Sequence, residues 1–292
     1  MILLDGKSAA EAMKKDIARE VIRWCKESGR RPHLAAILVG EDPASLTYVR
    51  NKENDCRQVG MDSSVYRLSS TISQEGLFEC IRTINEDKDI DGLIVQLPLP
   101  DHLDEQEIIE AIDPAKDVDG FHPVNVGKMV LGLPSFVSAT PAGIIDLLAF
   151  YRIPTTGKEC VIVGRSNIVG RPLANLLSRK GSGGDCTVTL CHSRTTDLAK
   201  VCRRADILVA ALGQPHFLKA NMIKEGAVVI DVGITRIADK STKSGFRLAG
   251  DVDFEEVAPR CSYITPVPGG VGPMTRVSLL KNTLQAALKR NQ

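Results

Sequence analysis

Cys160-Val-Ile-Val-Gly-Arg-Ser-Asn-Ile-Val-Gly170 is the stretch whose reading decides the fold. Four apolar residues, bounded by a glycine turn, read as a short buried strand, and 168–178 reads as the helix that follows. A dinucleotide-binding fold aims backbone amides and a helix N-terminus at a pyrophosphate at this position. The spelling is G-x-S-x-x-x-G rather than G-x-G-x-x-G, so from the motif alone a tight structural turn stays open beside a nucleotide site. Downstream, 186–191, 207–211 and 227–232 read as strands, and 198–203 as a helix between the first two. Together they make a doubly wound unit. The strand ending at Cys191 is followed by His192, Ser193 and Arg194, where an NAD site usually carries an acid for the ribose hydroxyls. A hydroxyl and a guanidinium suit a 2′-phosphate, which favours NADP over NAD, with a polar turn as the alternative.

Upstream the same alternation recurs. Ser8-Ala-Ala-Glu11 reads as a capping box opening a helix over about 9–28. A strand follows over 34–39, then Asp42 as N-cap, Pro43 at the first helical position and Gly60 as the stop. A strand over 64–68, a helix over 74–85 and a strand over 92–97 complete a second parallel α/β unit. Residues 98–140 hold five prolines around one short helix near 104–112, a loop-rich stretch of the kind that carries function. Thr140-Pro141 opens the next helix and marks the expected domain boundary. A glycine- and proline-rich loop over 266–273 precedes a last helix.

Composition narrows the function classes. The chain has 292 residues with 37 Lys+Arg against 36 Asp+Glu, a formal charge of +1, and is 43% hydrophobic. No basic block is present to hold nucleic acid by counterion release. The longest apolar runs, 34–39 and 207–212, fall far short of the ~20 residues that cross a bilayer. The N-terminus lacks the features of a signal or transit peptide, so a cytoplasmic protein is expected. None of the eight cysteines falls in a Cys-x-x-Cys pair or beside clustered histidines, and buried free thiols rather than a metal site are expected.

Several residues could carry chemistry. Tyr48 and Lys52 lie four apart and project from one helix face. Gln96 sits at the C-terminal end of a parallel strand, where open α/β sheets bind ligands. Asp117 and Asp119, two apart in an irregular segment, could be paired acids, turn formers or hydrogen-bond acceptors for a polar ligand; the further carboxylates of a calcium loop are lacking. Each also has a plain structural reading, as a solvated lysine, a strand-end amide or a turn.

Five segments in order resemble the bifunctional methylenetetrahydrofolate dehydrogenase/methenyltetrahydrofolate cyclohydrolase family: Tyr48-Val-Arg-Asn-Lys52, Asp91-Gly-Leu-Ile-Val-Gln-Leu-Pro-Leu-Pro100, Lys116-Asp-Val-Asp-Gly120, Gly164-Arg-Ser166 with Val169-Gly170, and Pro266-Val-Pro-Gly-Gly-Val-Gly-Pro-Met-Thr275. One departure is Ser138-Ala-Thr-Pro141, where the family commonly has Pro-Cys-Thr-Pro. The resemblance implies two doubly wound domains with a cleft between them: a folate-binding catalytic domain over 1–140 plus 274–292, and a Rossmann-type NADP domain over 141–273. It implies oxidation of 5,10-methylenetetrahydrofolate by NADP⁺, then hydrolysis of 5,10-methenyltetrahydrofolate to 10-formyltetrahydrofolate.

The resemblance also assigns roles. Lys52 would serve the hydrolytic step, Tyr48 would stack on the folate rings, Gln96 would tune Lys52, and Asp119 would hold the pterin's amino edge. Val95, Leu97 and the Pro268, Gly269, Gly270, Val271, Gly272 run would line the folate, the latter closing over it. Gly164, Arg165, Ser166, Ser193 and Ile234 would hold the cofactor, with no metal. A homodimer is implied, and no appended formyltetrahydrofolate synthetase domain is expected. An NAD-dependent or monofunctional member of the family, and a non-catalytic nucleotide-binding module, stay open as alternatives.

Overall fold

Hydrophobic strands alternating with helices that are apolar along one stripe can bury both only by layering helices over a parallel sheet, and this happens twice. A computed structural model describes residues 1–242 and 245–290. The chain divides into two compact units: a first of Glu11–Ala139 with the C-terminal segment from Arg276, and a second of Met1–Ala10 with Thr140–Thr275.

The chain opens with β1 (Ile2–Leu3) and α1 (Gly6–Ser28). Asp5, rather than the expected Ser8, receives the helix start. Its carboxylate accepts from the amides of Lys7 (3.0 Å) and Ser8 (3.2 Å) and from the Ser8 hydroxyl (2.5 Å). A carboxylate satisfies these orphan donors better than the hydroxyl, which it engages as well, so α1 begins earlier than the capping-box reading placed it.

In the first unit β2 (His33–Val39), α2 (Pro43–Val59), β3 (Asp62–Leu68), α3 (Gln74–Glu86) and β4 (Gly92–Val95) follow as expected within a few residues. They form a three-stranded parallel sheet in the order β3-β2-β4. Alternate residues of β2, namely Ala35, Ile37 and Val39, pack with Leu77, Ile81 and Ile84 of α3 and with Leu93 and Val95 of β4. Burial of each large aliphatic side chain contributes roughly 1.5–3 kcal/mol. Asp42 caps α2 by accepting from the Ser45 amide at 2.7 Å, and Gly60 ends it in the left-handed region. Beyond β4 come α4 (Glu105–Ala111) and α5 (Pro123–Val130). The second lies where the prolines of the sequence predict loop, yet His122 caps it through Nδ1, accepting from the Val124 amide at 3.1 Å, with Pro123 at the first helical position.

The second unit continues with α6 (Ala139–Phe150), β5 (Glu159–Val163), α7 (Gly170–Ser178), β6 (Thr187–Cys191), α8 (Leu198–Cys202), β7 (Ile207–Ala210), β8 (Ala227–Asp231), β9 (Thr235–Ala238), β10 (Phe246–Ala249), α9 (Phe254–Val257) and β11 (Cys261–Ile264). The last helix, α10 (Val271–Arg290), begins in this unit and ends in the first. A six-stranded parallel sheet runs β1-β11-β8-β7-β5-β6, and β9 and β10 form a separate antiparallel pair. The chain steps from β5 outward to β6 and then back to β7 on the other side, the reversal that opens a ligand crevice at the strand C-termini. Residues 1–10 were expected with the N-terminal domain. They belong to the second unit because Ile2 and Leu3 pair in parallel with Tyr263 and Ile264. All eight cysteines are free thiols, six of them buried, and Cys186 precedes β6 rather than starting it.

Candidate active site

In the first unit the helical period carries Tyr48 and Lys52 along one side of α2, with the tyrosine 39% exposed and the lysine half-buried. The lysine does not wave in solvent: its Nζ donates to Gln96 Oε1 at 3.2 Å. Gln96 follows β4 directly, with its amide tied to the Ile37 carbonyl at 2.9 Å. Its side-chain Nε2 donates to the Leu97 carbonyl at 2.7 Å, which leaves Oε1 as the face turned to the lysine. The backbone bond to Ile37 anchors the residue, the bond to Leu97 sets the side-chain amide's orientation, and that amide sets the amine. Of the residues flanking Gln96, Val95, the last of β4, is buried in the sheet's core cluster, and Leu97 is half-buried.

The two aspartates of the Lys116-Asp-Val-Asp-Gly segment separate cleanly. Asp117 is a turn former: it accepts from the amides of Phe121 (3.1 Å) and His122 (2.9 Å) and from Asn125 Nδ2 (2.8 Å). Asp119 accepts no hydrogen bond from any described residue. Burial raises its pKa, and the Lys52 ammonium draws it back down. A half-buried carboxylate without a donor, next to a cation, is available to a ligand's N–H groups.

Lys116 itself, a candidate for nothing in the sequence, is almost wholly buried and donates to the carbonyls of Ile84 (2.6 Å) and Asp87 (2.5 Å). It caps the C-terminus of α3 and so fixes one end of the segment that presents Asp119. Asn282 of α10 holds the middle, donating to the Val118 carbonyl at 2.8 Å. Neither role was visible locally, because both depend on contacts far apart in the chain.

In the second unit Gly164 turns the chain at φ +129° between β5 and α7. A Cβ there would lie 2.0 Å from the Ala211 carbonyl oxygen, and one at Gly170 would lie 2.0 Å from that of Gly164. Only glycine allows β5, the start of α7 and the segment after β7 to approach this closely. Ser166 accepts from the Val169 amide at 3.2 Å and bridges the turn. Because this loop is stabilised as a turn, α7 begins at Gly170 rather than at 168. Arg165 and Ser193 are exposed, and neither side chain has a partner among the described residues. Ser193 lies in the turn after β6, which is closed by the His192 amide donating to Thr195 Oγ1 at 2.9 Å. Val163 pairs with Cys191, so the turns carrying Arg165 and Ser193 leave neighbouring strands at the same level.

Ile234 follows β8 and is 40% exposed. A Cβ at Gly272 would lie 3.6 Å from its Cδ1, so these two expected site residues come together. Pro268, Gly269 and Gly270 form the end of a loop, with the Gly269 carbonyl accepting from the Lys7 amide at 3.2 Å. Val271 and Gly272, which the sequence places in the loop, form the first turn of α10. Two further carboxylates lie near this edge, Asp231 and Asp251. Their only sequence signal is a glycine close to each, at Gly233 and Gly250.

Fold and site define a two-domain α/β protein with a glycine-turn unit of the kind that binds dinucleotides and a lysine–amide–carboxylate cluster. The chain belongs to the tetrahydrofolate dehydrogenase/cyclohydrolase family: the model of its catalytic domain matches residues 4–119 and that of its NAD(P)-binding domain residues 138–291. It is 61% identical over 289 residues to the bifunctional protein FolD of Bacteroides fragilis, covering 99% of both chains. Among solved structures it resembles the bifunctional FolD methylenetetrahydrofolate dehydrogenase/cyclohydrolase of Campylobacter jejuni, with 47% identity, 99% of each chain covered and a TM-score of 0.92. The Trypanosoma brucei enzyme, complexed with NADP and an inhibitor, is 39% identical with a TM-score of 0.95, covering 100% of this chain and 99% of that one.

Proposed function

We infer that the chain is a bifunctional enzyme of one-carbon metabolism. It oxidises 5,10-methylenetetrahydrofolate to 5,10-methenyltetrahydrofolate with NADP⁺, and hydrolyses the product to 10-formyltetrahydrofolate. Family membership and full-length similarity to FolD proteins support both activities. The observation that carries the hydrolytic half is the Lys52–Gln96 hydrogen bond beside the unpartnered Asp119.

The first unit is proposed to bind folate. Asp119 would accept from the pterin's amino and ring N–H groups, which orients the ring over α2, and Tyr48 would stack against it. Val95, Gln96 and Leu97 would border the ring. In hydrolysis, water adds to the methenyl carbon as the C=N π pair moves onto N5, and a base takes the water's proton as the C–O bond forms; the C–N5 bond then breaks, N5 receives a proton, and the formyl group stays on N10. Lys52, held by Gln96, would be that base, a role typically contributing ~10²–10⁴-fold. The Pro268–Gly272 stretch would contribute to folate binding through its backbone.

The second unit is proposed to bind NADP. The residues fit: a close-packed glycine turn exposes the backbone ahead of α7, while Arg165 and Ser193 have no internal partner to displace before meeting a 2′-phosphate. When bound, the nicotinamide accepts the hydride. The dehydrogenase step needs positioning and exclusion of water rather than a protein acid or base. Gly164 and Ser166 would hold the pyrophosphate end, and Ile234 would border the nicotinamide. Cytoplasmic location and a homodimer accompany this reading, and the dimer would be read from the sedimentation mass. Among the described residues no helix is long and apolar enough to cross a membrane.

The test separates the two activities. Lys52→Met should abolish hydrolysis of methenyltetrahydrofolate while a measurable rate of NADP⁺ reduction persists. Equal loss of both would make Lys52 a binding residue and refute its role as base.

A further inference from the structure

At the C-terminal edge of the second unit's parallel sheet lie two buried carboxylates that neither proposed activity uses. Asp231 ends β8 and is 4% exposed; Asp251 lies just past β10 and is fully buried. Among the described residues neither forms an ion pair. Asp231 Oδ1 accepts from the amides of Gly233 and Asp251, both at 3.0 Å, and its Oδ2 accepts from the Val252 amide at 2.9 Å. Asp251 Oδ2 accepts from the amides of Leu212 (2.6 Å) and Gly213 (3.0 Å), and its Oδ1 from that of Gln214 (2.8 Å).

The connection is directional. Asp231 grips the backbone of Asp251, and the side chain of Asp251 grips the loop after β7. Three loops are thereby locked to one another: 211–214, 232–234 and 250–252. The packing leaves no slack, since a Cβ at Gly250 would lie 1.9 Å from Asp231 Oδ2 and one at Gly233 would lie 2.3 Å from Asp251 Oδ1. Two of these loops reach the proposed cofactor site. The Ala211 carbonyl abuts Gly164, and Ile234 directly follows Gly233.

We propose that Asp231 and Asp251 are positioning residues for the dinucleotide, a carboxylate relay that sets the loops after β7 and β8 against the glycine turn without touching the cofactor. A structural buttress could be built from apolar side chains. Carboxylates that each gather three backbone amides instead hold loop backbone at fixed spacing, which a ligand contacting that backbone requires. The relay is also sensitive to protonation. Burial lifts Asp231 to about 7, with Asp251 adding repulsion and the three amides opposing. Of the other charged or titratable groups on this segment, Asp253 pairs with Lys219 at 2.6 Å, and His216 joins through its backbone amide to the Gly250 carbonyl at 3.0 Å. Protonation would remove acceptor capacity from Asp231 and loosen its hold on 251–252.

The inference rests on the second unit binding NADP, and the tests keep the two apart. Asp251→Asn keeps the shape but replaces one acceptor oxygen with an NH₂ facing backbone donors. Titration of full-length protein should show the NADP⁺ dissociation constant raised about tenfold, the effect of one lost charged hydrogen bond. Hydrolysis of methenyltetrahydrofolate, which needs no NADP⁺, should keep its kcat/KM. Unchanged NADP⁺ affinity, or parallel loss of hydrolysis, would overturn the relay. Should the variant fail to fold, the wild-type chain decides through its NAD⁺ affinity, because NAD⁺ lacks the phosphate monoester that itself titrates near ~6. The NAD⁺ dissociation constant should rise severalfold as pH falls from about 8 to about 6, one protonation near 7 being responsible. A flat profile would overturn the proposal. Failure of the wild-type chain to bind NADP⁺ at all would instead sink the nucleotide-binding reading, and the relay with it.

Discussion

Residue by residue, spacing in the sequence nominates groups and hydrogen bonding sorts them. Asp117 and Asp119 are indistinguishable as letters. In the fold, one is consumed by three local donors and the other is left facing Lys52. An Asp117 variant should therefore cost stability, whereas Asp119→Asn should mainly raise the KM for folate. Arg165 and Ser193 gain their interest from the same accounting, since neither side chain is occupied. Replacing both with alanine should weaken NADP⁺ binding far more than NAD⁺, by about 2–4 kcal/mol if two charge-assisted contacts to the 2′-phosphate are lost. Parallel fluorescence titrations with the two cofactors check this, and equal losses would place the phosphate elsewhere.

At the scale of elements, helix ends do more here than helix faces. The end of α3 is held by a lysine from the loop after α4, whose ammonium sits on the Ile84 and Asp87 carbonyls, where a cation also suits the helix dipole. Burial lowers its pKa. Lys116→Met should leave two carbonyls without a donor and lower unfolding free energy by about 2–4 kcal/mol in urea titration. A loss below ~1 kcal/mol would show that water replaces the ammonium. At the start of α2, Asp42→Ala should cost about 1 kcal/mol, the usual worth of an N-cap. The change should not affect hydrolysis beyond that loss, because the cap is nearly three turns before Lys52.

Across the whole molecule, stability and cofactor affinity should respond to pH in opposite directions. The ordinary aspartate value of 3.8 is raised to about 7 at Asp231. Between those values the folded chain retains a proton that the unfolded chain has released. Stability from this group is therefore complete below about 4 and is lost as pH rises through 7. The ionised carboxylate is, however, the form that collects three amides, so NADP⁺ binding should improve over the same interval. The lowered carboxylates, such as Asp5 and Asp206, are half-buried, and their contributions act at lower pH. Comparing thermal unfolding of wild type and Asp231→Asn from pH 5 to 8 isolates the effect. The difference between them should change across this range, and a constant difference would contradict the assignment.

The doubly wound architecture, the glycine turn, the Asp42-Pro43 helix start and the family were legible in the letters, because strand length, helical period and capping chemistry are local and repeat. The identity of Lys52 and Gln96 as candidates was legible too. What only the tertiary structure decided were the pairings: Ile2–Leu3 joining the second unit's sheet, Asp5 displacing Ser8 as cap, Lys116 on α3, Asn282 on Val118, and the Asp231–Asp251 relay. Each joins a carbonyl, amide or carboxylate to a group whose position depends on the packing of other elements. A polar atom's partner is set by where burial leaves it, and burial is a property of the folded chain as a whole.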